Sequence, residues 1–267
     1  MNVQKLSTSV QEGYSLQALR DLVAKPQAEP PWNRLVRRVS IYVTWLLIRT
    51  PISANGVTFL FLAAALSGAA AFAVGERWAW LAGTLLIWLS IVFDFSDGEV
   101  ARFRRESSWF GDYFEETVHA AHLIAMHACI AIGLWQRQPA NPWPFVAALV
   151  AAGGALIARN DKNLLMKSMF QYYGFDRLRR IAPGFALGEF APTRNMRGLL
   201  YLVDLLVFDL GLYFVALPLA AIADRMDLFL YFYGAVRALS VAYMFAQAWR
   251  LRAKYHGREE TVSNVKE

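Results

Sequence analysis

The chain has 267 residues, 57% of them hydrophobic, a positive mean hydropathy of +0.31, and apolar runs of about twenty residues, the length that crosses a bilayer. This composition describes a multi-pass membrane protein and leaves no stretch large enough for a free-standing soluble domain. The net charge of +6 would suggest nucleic acid as a partner for a soluble protein, but here Lys and Arg flank the apolar runs, which fits lipid headgroups instead.

Residues 1–31 read as a soluble lead and linker. Lys5, Glu12, Arg20, Asp21 and Lys25 interrupt it without an apolar core, so no cleavable signal sequence is expected. From Trp32 to Arg49 the residues Asn33, Arg37, Ser40 and Thr44 fall on one helical face, flanked by Arg34 and Arg38, with Val36, Val39, Val43 and Leu46 opposite. That pattern predicts an amphipathic helix lying in the membrane interface. A separate membrane span is the weaker reading, because three arginines fall within its first two turns.

Pro51 and Asn55 mark a turn and a helix cap, and the first span is expected over Gly56–Val74. The second runs from Trp78 to the Asp94 region and the third from Gly111 to Trp135. A short fourth span starts near Pro144, with Gly153 and Gly154 suited to close helix contact. A polar stretch from Arg159 to Arg197 follows, then a fifth span ending near Ala223 and a sixth over Leu228–Trp249. The expectation is an all-α polytopic domain over 32–250, six spans after an interfacial helix, with a basic and polar tail over 251–267.

Charge fixes the orientation. With a cytoplasmic N-terminus, only Arg77, Arg137 and Arg225 fall in outer loops. Trp78, Trp80, Trp135 and Trp143 then sit at the outer boundary and Trp109 and Trp249 at the inner one, as interfacial anchors. Ionisable residues inside spans are costly. Arg237, mid-way along the sixth span, is therefore expected to pair with Asp209 in the fifth, while Asp204 extends toward the inner surface. Cys129 is the single cysteine, so no disulfide framework or cysteine zinc site forms within one chain.

The stretch from 94 to 119 puts acids, small residues and a histidine at the inner ends of two spans. Asp94, Asp97 and Ala101 share a face at i, i+3, i+7, with Gly98 beside them. Gly111, Glu115, His119 and His122 form a second stripe at i, i+4, i+8, i+11. Carboxylate oxygens converging at a membrane surface suit hard divalent cations, and small residues leave space for a substrate. His127 reads as a packed core residue, and Asp112 and Glu116 as solvated or arginine-paired. A helix-end cluster pairing Asp94 and Asp97 with Arg102, Arg104 and Arg105 is the plainer alternative.

These residues resemble the signature of the CDP-alcohol phosphotransferase family, DxxDGxxAR, eight residues, then GxxxDxxxD. Asp94, Asp97, Gly98, Ala101, Arg102 and Gly111 match it at the family's spacing, while Glu115 and His119 replace its third and fourth aspartates. The resemblance implies transfer of a substituted phosphate from a CDP-linked donor to an alcohol, with release of CMP and two Mg2+ or Mn2+ ions. Asp94, Asp97, Glu115 and His119 are then the expected metal ligands, with His119 as the base toward the acceptor hydroxyl. Gly98, Ala101, Arg102 and Gly111 are the expected nucleotide-binding residues. Arg159, Lys162, Arg194 and Arg197 are cytoplasmic-side candidates for a substrate phosphate. A homodimer in a bacterial inner membrane, acting in phospholipid or related lipid synthesis, is also implied. The rival readings are a catalytically silent relative that binds CDP-linked lipid, a prenyltransferase, and a cation or proton transporter using the same acids.

Overall fold

The computed structural model describes residues 16, 19–20, 31–174 and 212–263, and within them the regular structure is helix without strand. We number the helices α1 (Pro31–Leu47), α2 (Ala54–Ala73), α3 (Arg77–Arg104), α4 (Trp109–Arg137), α5 (Trp143–Tyr173), α6 (Leu217–Ile222) and α7 (Met226–Ser263), with a π-helical turn over Leu212–Ala216 leading into α6. Five of them, α2, α3, α4, α5 and α7, are long and apolar enough to cross a membrane. The expected fifth span is described only in its last part, as the shorter apolar run Tyr213–Ile222. Asp204 and Asp209, and with them the expected ion pair to Arg237, lie outside the described residues.

Local sequence explains the helix ends. Ser53, not Asn55, caps α2, its hydroxyl accepting from Gly56 N at 3.2 Å, so Asn55 sits inside the first turn with its side chain released for other use. Ser108 caps α4 in the same way, accepting from Gly111 N at 3.1 Å. Between α3 and α4, Arg105 turns the chain in the left-handed region at φ 58°, and Glu106 N closes onto Ala101 O at 2.9 Å. α3 therefore carries the whole stretch from Asp94 to Arg104 as unbroken helix.

Two helices run beyond their expected spans. α5 continues through Arg159 to Tyr173, 31 residues, of which Trp143–Asn160 is the apolar span, short as expected, and the first part of the polar stretch prolongs the helix. α7 runs 38 residues to Ser263, so most of the 251–267 tail is a continuation of the last span. α4 ends at Arg137, close to its expected limit.

The bundle is held by close backbone approaches. At the end remote from the 94–119 stretch, Gly75 in α2's exit turn has φ 76°, and a Cβ there would lie 2.6 Å from Gly133 O on α4. Trp80 plugs this crossing. It is fully buried, its indole N–H donates to Phe72 O at 3.1 Å, and Arg137 stacks over its ring at 4.0 Å. Trp80 is thus a core residue and not the boundary anchor expected, whereas Trp78, Trp109, Trp135, Trp143 and Trp249 are exposed. Arg137 also donates to Gly75 O and to both Asp224 oxygens at 3.0 and 2.9 Å.

α1 forms with the two faces expected of it. Its polar stripe faces the protein: Ser40 and Thr44 are fully buried, while Leu35, Val39, Tyr42 and Leu46 are exposed. An apolar stripe turned outward and a polar stripe turned inward reverse the usual arrangement of a soluble helix. Ile41, at the edge of the inner stripe, packs with Leu19 and Phe103, and Val36 joins the main core.

Candidate active site

α3 presents two chemically different faces. Asp94, Asp97, Gly98, Ala101 and Arg102 line a cavity of about 340 Å3 at one end of the bundle. Ser96, Glu99 and Arg104 turn toward α1. The cavity's other walls come from α1 (Asn33, Arg37), from the start of α2 (Ala54, Asn55, Thr58), and from the α3–α4 turn and first turns of α4 (Glu106, Ser107, Ser108, Gly111, Asp112, Glu115). Its volume falls in the range of small-ligand sites.

The cavity carries charges of both signs. The first turns of α2 and α4 both open onto it, and unsatisfied helix N–H groups there favour an anion. Arg37 and Arg102 add two guanidinium groups, and Asp94, Asp97 and Glu115 add carboxylates. The lining thus offers donors to phosphate oxygens and acceptors to cations.

Three of the four expected metal ligands come together. One ligand atom each from Asp94, Glu115 and His119 lie within 4.8 Å of one another. His119 Nε2 stands 2.8 Å from Asp94 Oδ1 and 3.9 Å from Glu115 Oε1. An octahedral ion with bonds of about 2.1 Å sets neighbouring ligand atoms about 3 Å apart and opposite ones about 4.2 Å apart. The three side chains fit such an ion. Asp94 Oδ1 is buried and makes no hydrogen bond despite the nearby imidazole, as an acceptor kept for a cation would be. Two oxygens and one imidazole nitrogen suit magnesium or manganese, the nitrogen moving the balance toward manganese.

Asp97 stands apart from this group. It is buried, and its Oδ2 accepts from Thr58 Oγ1 on α2 at 2.8 Å. Thr58 in turn donates to Ala54 O at 3.2 Å as an alternative. Asp97 is therefore tied directly to the first turns of α2.

The neighbouring histidines separate. His119 packs on Phe61 at 4.9 Å between ring centres. His122 is buried, edge-on to Phe61 at 5.8 Å and 6.3 Å from the Tyr213 ring, and is not a wall of the cavity. His127 is a fully buried core residue whose Nδ1 pairs with Leu123 O at 2.7 Å, as expected. Glu116 is arginine-paired: Arg159 Nε and Nη2 donate to it at 2.7 and 3.2 Å. Arg159 is thus engaged on α4's outer side. The side chain of Lys162, and Arg194 and Arg197 entirely, lie outside the described residues.

Sequence reasoning missed Glu99. It is 1% exposed and takes three donors from α1: Arg37 Nη1 at 2.8 Å, Ser40 Oγ at 2.9 Å and Thr44 Oγ1 at 2.7 Å. The available signal was the polar stripe of α1, whose hydroxyls needed a buried partner. Asn55, Thr58 and Glu106, which gives Ala54 N a carboxylate at 3.3 Å, were also missed.

Gly98 allows a prediction that separates fold from site. A Cβ there would meet nothing but the guanidinium tip of Arg102, at 3.2 Å. Gly98→Ala is expected to stabilise the fold by about 0.5–1 kcal/mol through helix propensity. The same methyl occupies the cavity, and affinity for CDP is expected to fall about tenfold. Thermal unfolding and CDP titration of one sample check both.

Among curated proteins no relative matches the chain. The family model of the CDP-alcohol phosphatidyltransferases matches residues 51–187, from the turn before α2 through α3, α4 and α5. The cavity, its acid cluster and its motif residues all fall within that match, apart from the α1 wall. The chain belongs to the CDP-alcohol phosphatidyltransferase family, membrane transferases that pass a phosphate-linked group from a CDP-alcohol to an alcohol acceptor.

Proposed function

We propose that the protein transfers a substituted phosphate from a CDP-linked donor, CDP-diacylglycerol or a CDP-linked polar alcohol, to a hydroxyl acceptor and releases CMP. The observation that carries this reading is the acid cluster of Asp94, Glu115 and His119 at the edge of a cavity that Arg37 and Arg102 also line. Asp94, Glu115 and His119 would hold a divalent ion, with Asp97, one turn along α3 from Asp94, as the carboxylate for a second. Bound there, such ions neutralise the pyrophosphate and the leaving CMP oxygen.

The remaining work belongs to the chain's own groups. Gly98, Ala101 and Gly111 keep the cavity floor open to the nucleotide, and the N-terminal turns of α2 and α4 with Arg102 hold the phosphate oxygens. In-line displacement needs the acceptor hydroxyl on the far side of the phosphorus from the leaving oxygen. His119, 2.8 Å from Asp94 and 3.9 Å from Glu115, would be the proton acceptor toward that hydroxyl.

The 2.8 Å approach of His119 to Asp94 supports a second role for His119. In that role Asp94 orients the imidazole, and Nε2 takes the acceptor's proton in place of binding an ion. Manganese titration followed by electron paramagnetic resonance decides between them: His119→Ala loses ion affinity if the imidazole is a ligand, and keeps it if the imidazole is the base.

The site faces the cytoplasm of a bacterial cell in this reading, where nucleotide-linked substrates and metal ions are present, and the protein works as a homodimer in lipid synthesis. The decisive experiment is CMP release by purified protein in lipid, with Mg2+ or Mn2+, from CDP-diacylglycerol and CDP-linked polar alcohols against a panel of acceptors. Turnover with one pairing supports the reading and names the half that carries cytidine. Metal-dependent nucleotide binding without CMP release under any pairing overturns it in favour of a silent binding relative.

A further inference from the structure

α1 lies outside the family match, yet it supplies two residues of the cavity wall, Asn33 and Arg37. They are four residues apart and so share a face of the helix. What holds that face in place is α3. Ser96 Oγ donates to Ser40 O at 3.3 Å, Glu99 binds the Arg37, Ser40 and Thr44 side chains, and Arg104 donates to Leu47 O at 3.2 Å, to Thr50 O at 2.7 Å and to Ile52 O. The Ser96 and Glu99 anchors occur along the same segment that carries Asp94, Asp97 and Ala101 on its cavity face, and Arg104 ends that segment. One helix therefore positions the acid wall and the α1 wall together.

Arg37 is the member with chemical reach. Its guanidinium pairs with Glu99, sits 5.1 Å over the Phe95 ring, and borders the cavity, with 19% of the side chain exposed. A guanidinium has five N–H donors in a planar fork, so it can bind one carboxylate and still present donors to phosphate oxygens. Glu99 is nearly inaccessible at 1% exposure and cannot touch a substrate. Its effect on one must pass through Arg37.

We propose that Arg37 is a contact for the phosphate oxygens of the CDP-linked donor and that Glu99 is the positioning residue that aims it, making α1 the part of the site that grips the donor. The inference rests on the transferase reading for the identity of the ligand, and goes beyond it by assigning a cation and its support from outside the motif. Ser40 and Thr44 hold Glu99 in register, so the carboxylate cannot follow Arg37 if Arg37 moves. Asn33, one turn back, borders the same part of the cavity.

The test is steady-state CMP release with the best donor and acceptor pair, with CDP affinity measured by titration on the same preparations. Arg37→Ala is expected to raise KM for the donor and Kd for CDP about tenfold, with kcat changed less than about twofold, the signature of lost binding without lost chemistry. Glu99→Gln keeps one acceptor oxygen, turns the other into an amide donor to which the Thr44 hydroxyl can serve as acceptor, and removes the charge; it is expected to raise the same two constants about fivefold. The double variant should be no worse than Arg37→Ala alone, because both act through one guanidinium. Arg37→Lys should recover part of the loss.

Equal falls in kcat and thermal midpoint for Glu99→Gln, with KM unchanged, would mean that Glu99 merely holds the fold. Additive effects in the double variant would mean that it acts on the donor by some route other than Arg37. Either result overturns the proposal. Failure of the transferase reading is seen separately, as wild-type protein that releases no CMP. In that case CDP titration still decides, since a silent binding relative that loses CDP affinity on Arg37→Ala and Glu99→Gln keeps the assignment, and one that does not refutes it.

Discussion

Asp94→Ala is expected to lower CMP release about a thousandfold or more, at saturating donor and acceptor, with the helical content and thermal midpoint little changed. Asp94 is the one side chain of the cluster close to His119, and its Oδ1 is buried without a hydrogen bond. Removing it deletes an ion ligand and the partner of the imidazole in one step, and ion charge neutralisation together with proton transfer each contribute about 10²-fold or more. Stability should not suffer. A carboxylate crowded against Glu115 and buried without hydrogen bonds costs free energy in the apoprotein, and alanine is a strong helix former. His119→Ala, read in the same assay, should fall by about 10²-fold or more. Full activity in Asp94→Ala would remove the cluster from the chemistry altogether.

Gly133→Ala is expected to have the opposite profile, a large loss of stability with the chemistry intact. A Cβ at Gly133 would overlap the carbonyl oxygen of Phe72 and lie 3.1 Å from the Gly75 backbone. Both obstacles are main chain and cannot rotate away. α2 and α4 must separate there, exposing the Trp80 plug, and the cost is put at about 3 kcal/mol. Thermal unfolding in detergent measures it. Turnover per folded molecule, taken well below the midpoint, should stay near wild type, because the crossing lies at the end of the bundle away from Asp94. An unchanged midpoint would mean that the helices cross there more loosely than the structure has them.

The fold was legible where one physical rule acts alone. The lengths of α2, α3 and α4 follow from apolar runs that must cross hydrocarbon, and the motif on α3 follows from helical periodicity that has no reason to break before Arg105. Three of the four acids and histidine predicted to meet do so, since i, i+4 neighbours on α4 reach the same face of α3. Asp97 was harder to place, because its Thr58 partner comes from α2, 39 residues earlier, and no local spacing reports that pairing. α1 was legible as a two-faced helix, but the partner of its polar face was not, for a related reason. A stripe of Asn, Arg, Ser and Thr looks the same whether it meets water or a buried carboxylate, and it was Glu99, 55 or more residues away, that decided. Trp80 shows the same limit. Boundary tryptophans and core tryptophans are alike in sequence, and the distinction came from the close crossing at the end of α2, where the Phe72 carbonyl takes the indole N–H beside that of Gly75.

The length of α7 has a practical consequence. Its 38 residues cover about 57 Å at the usual helical rise, against a hydrocarbon layer of about 30 Å. Close to half the helix must stand in water or headgroups beyond the bilayer, as a rod continuous with the bundle. A label attached within its last turns would be carried clear of a detergent micelle. The protruding part of α7 is itself an exterior landmark, of the kind that aligns small membrane proteins in single-particle images.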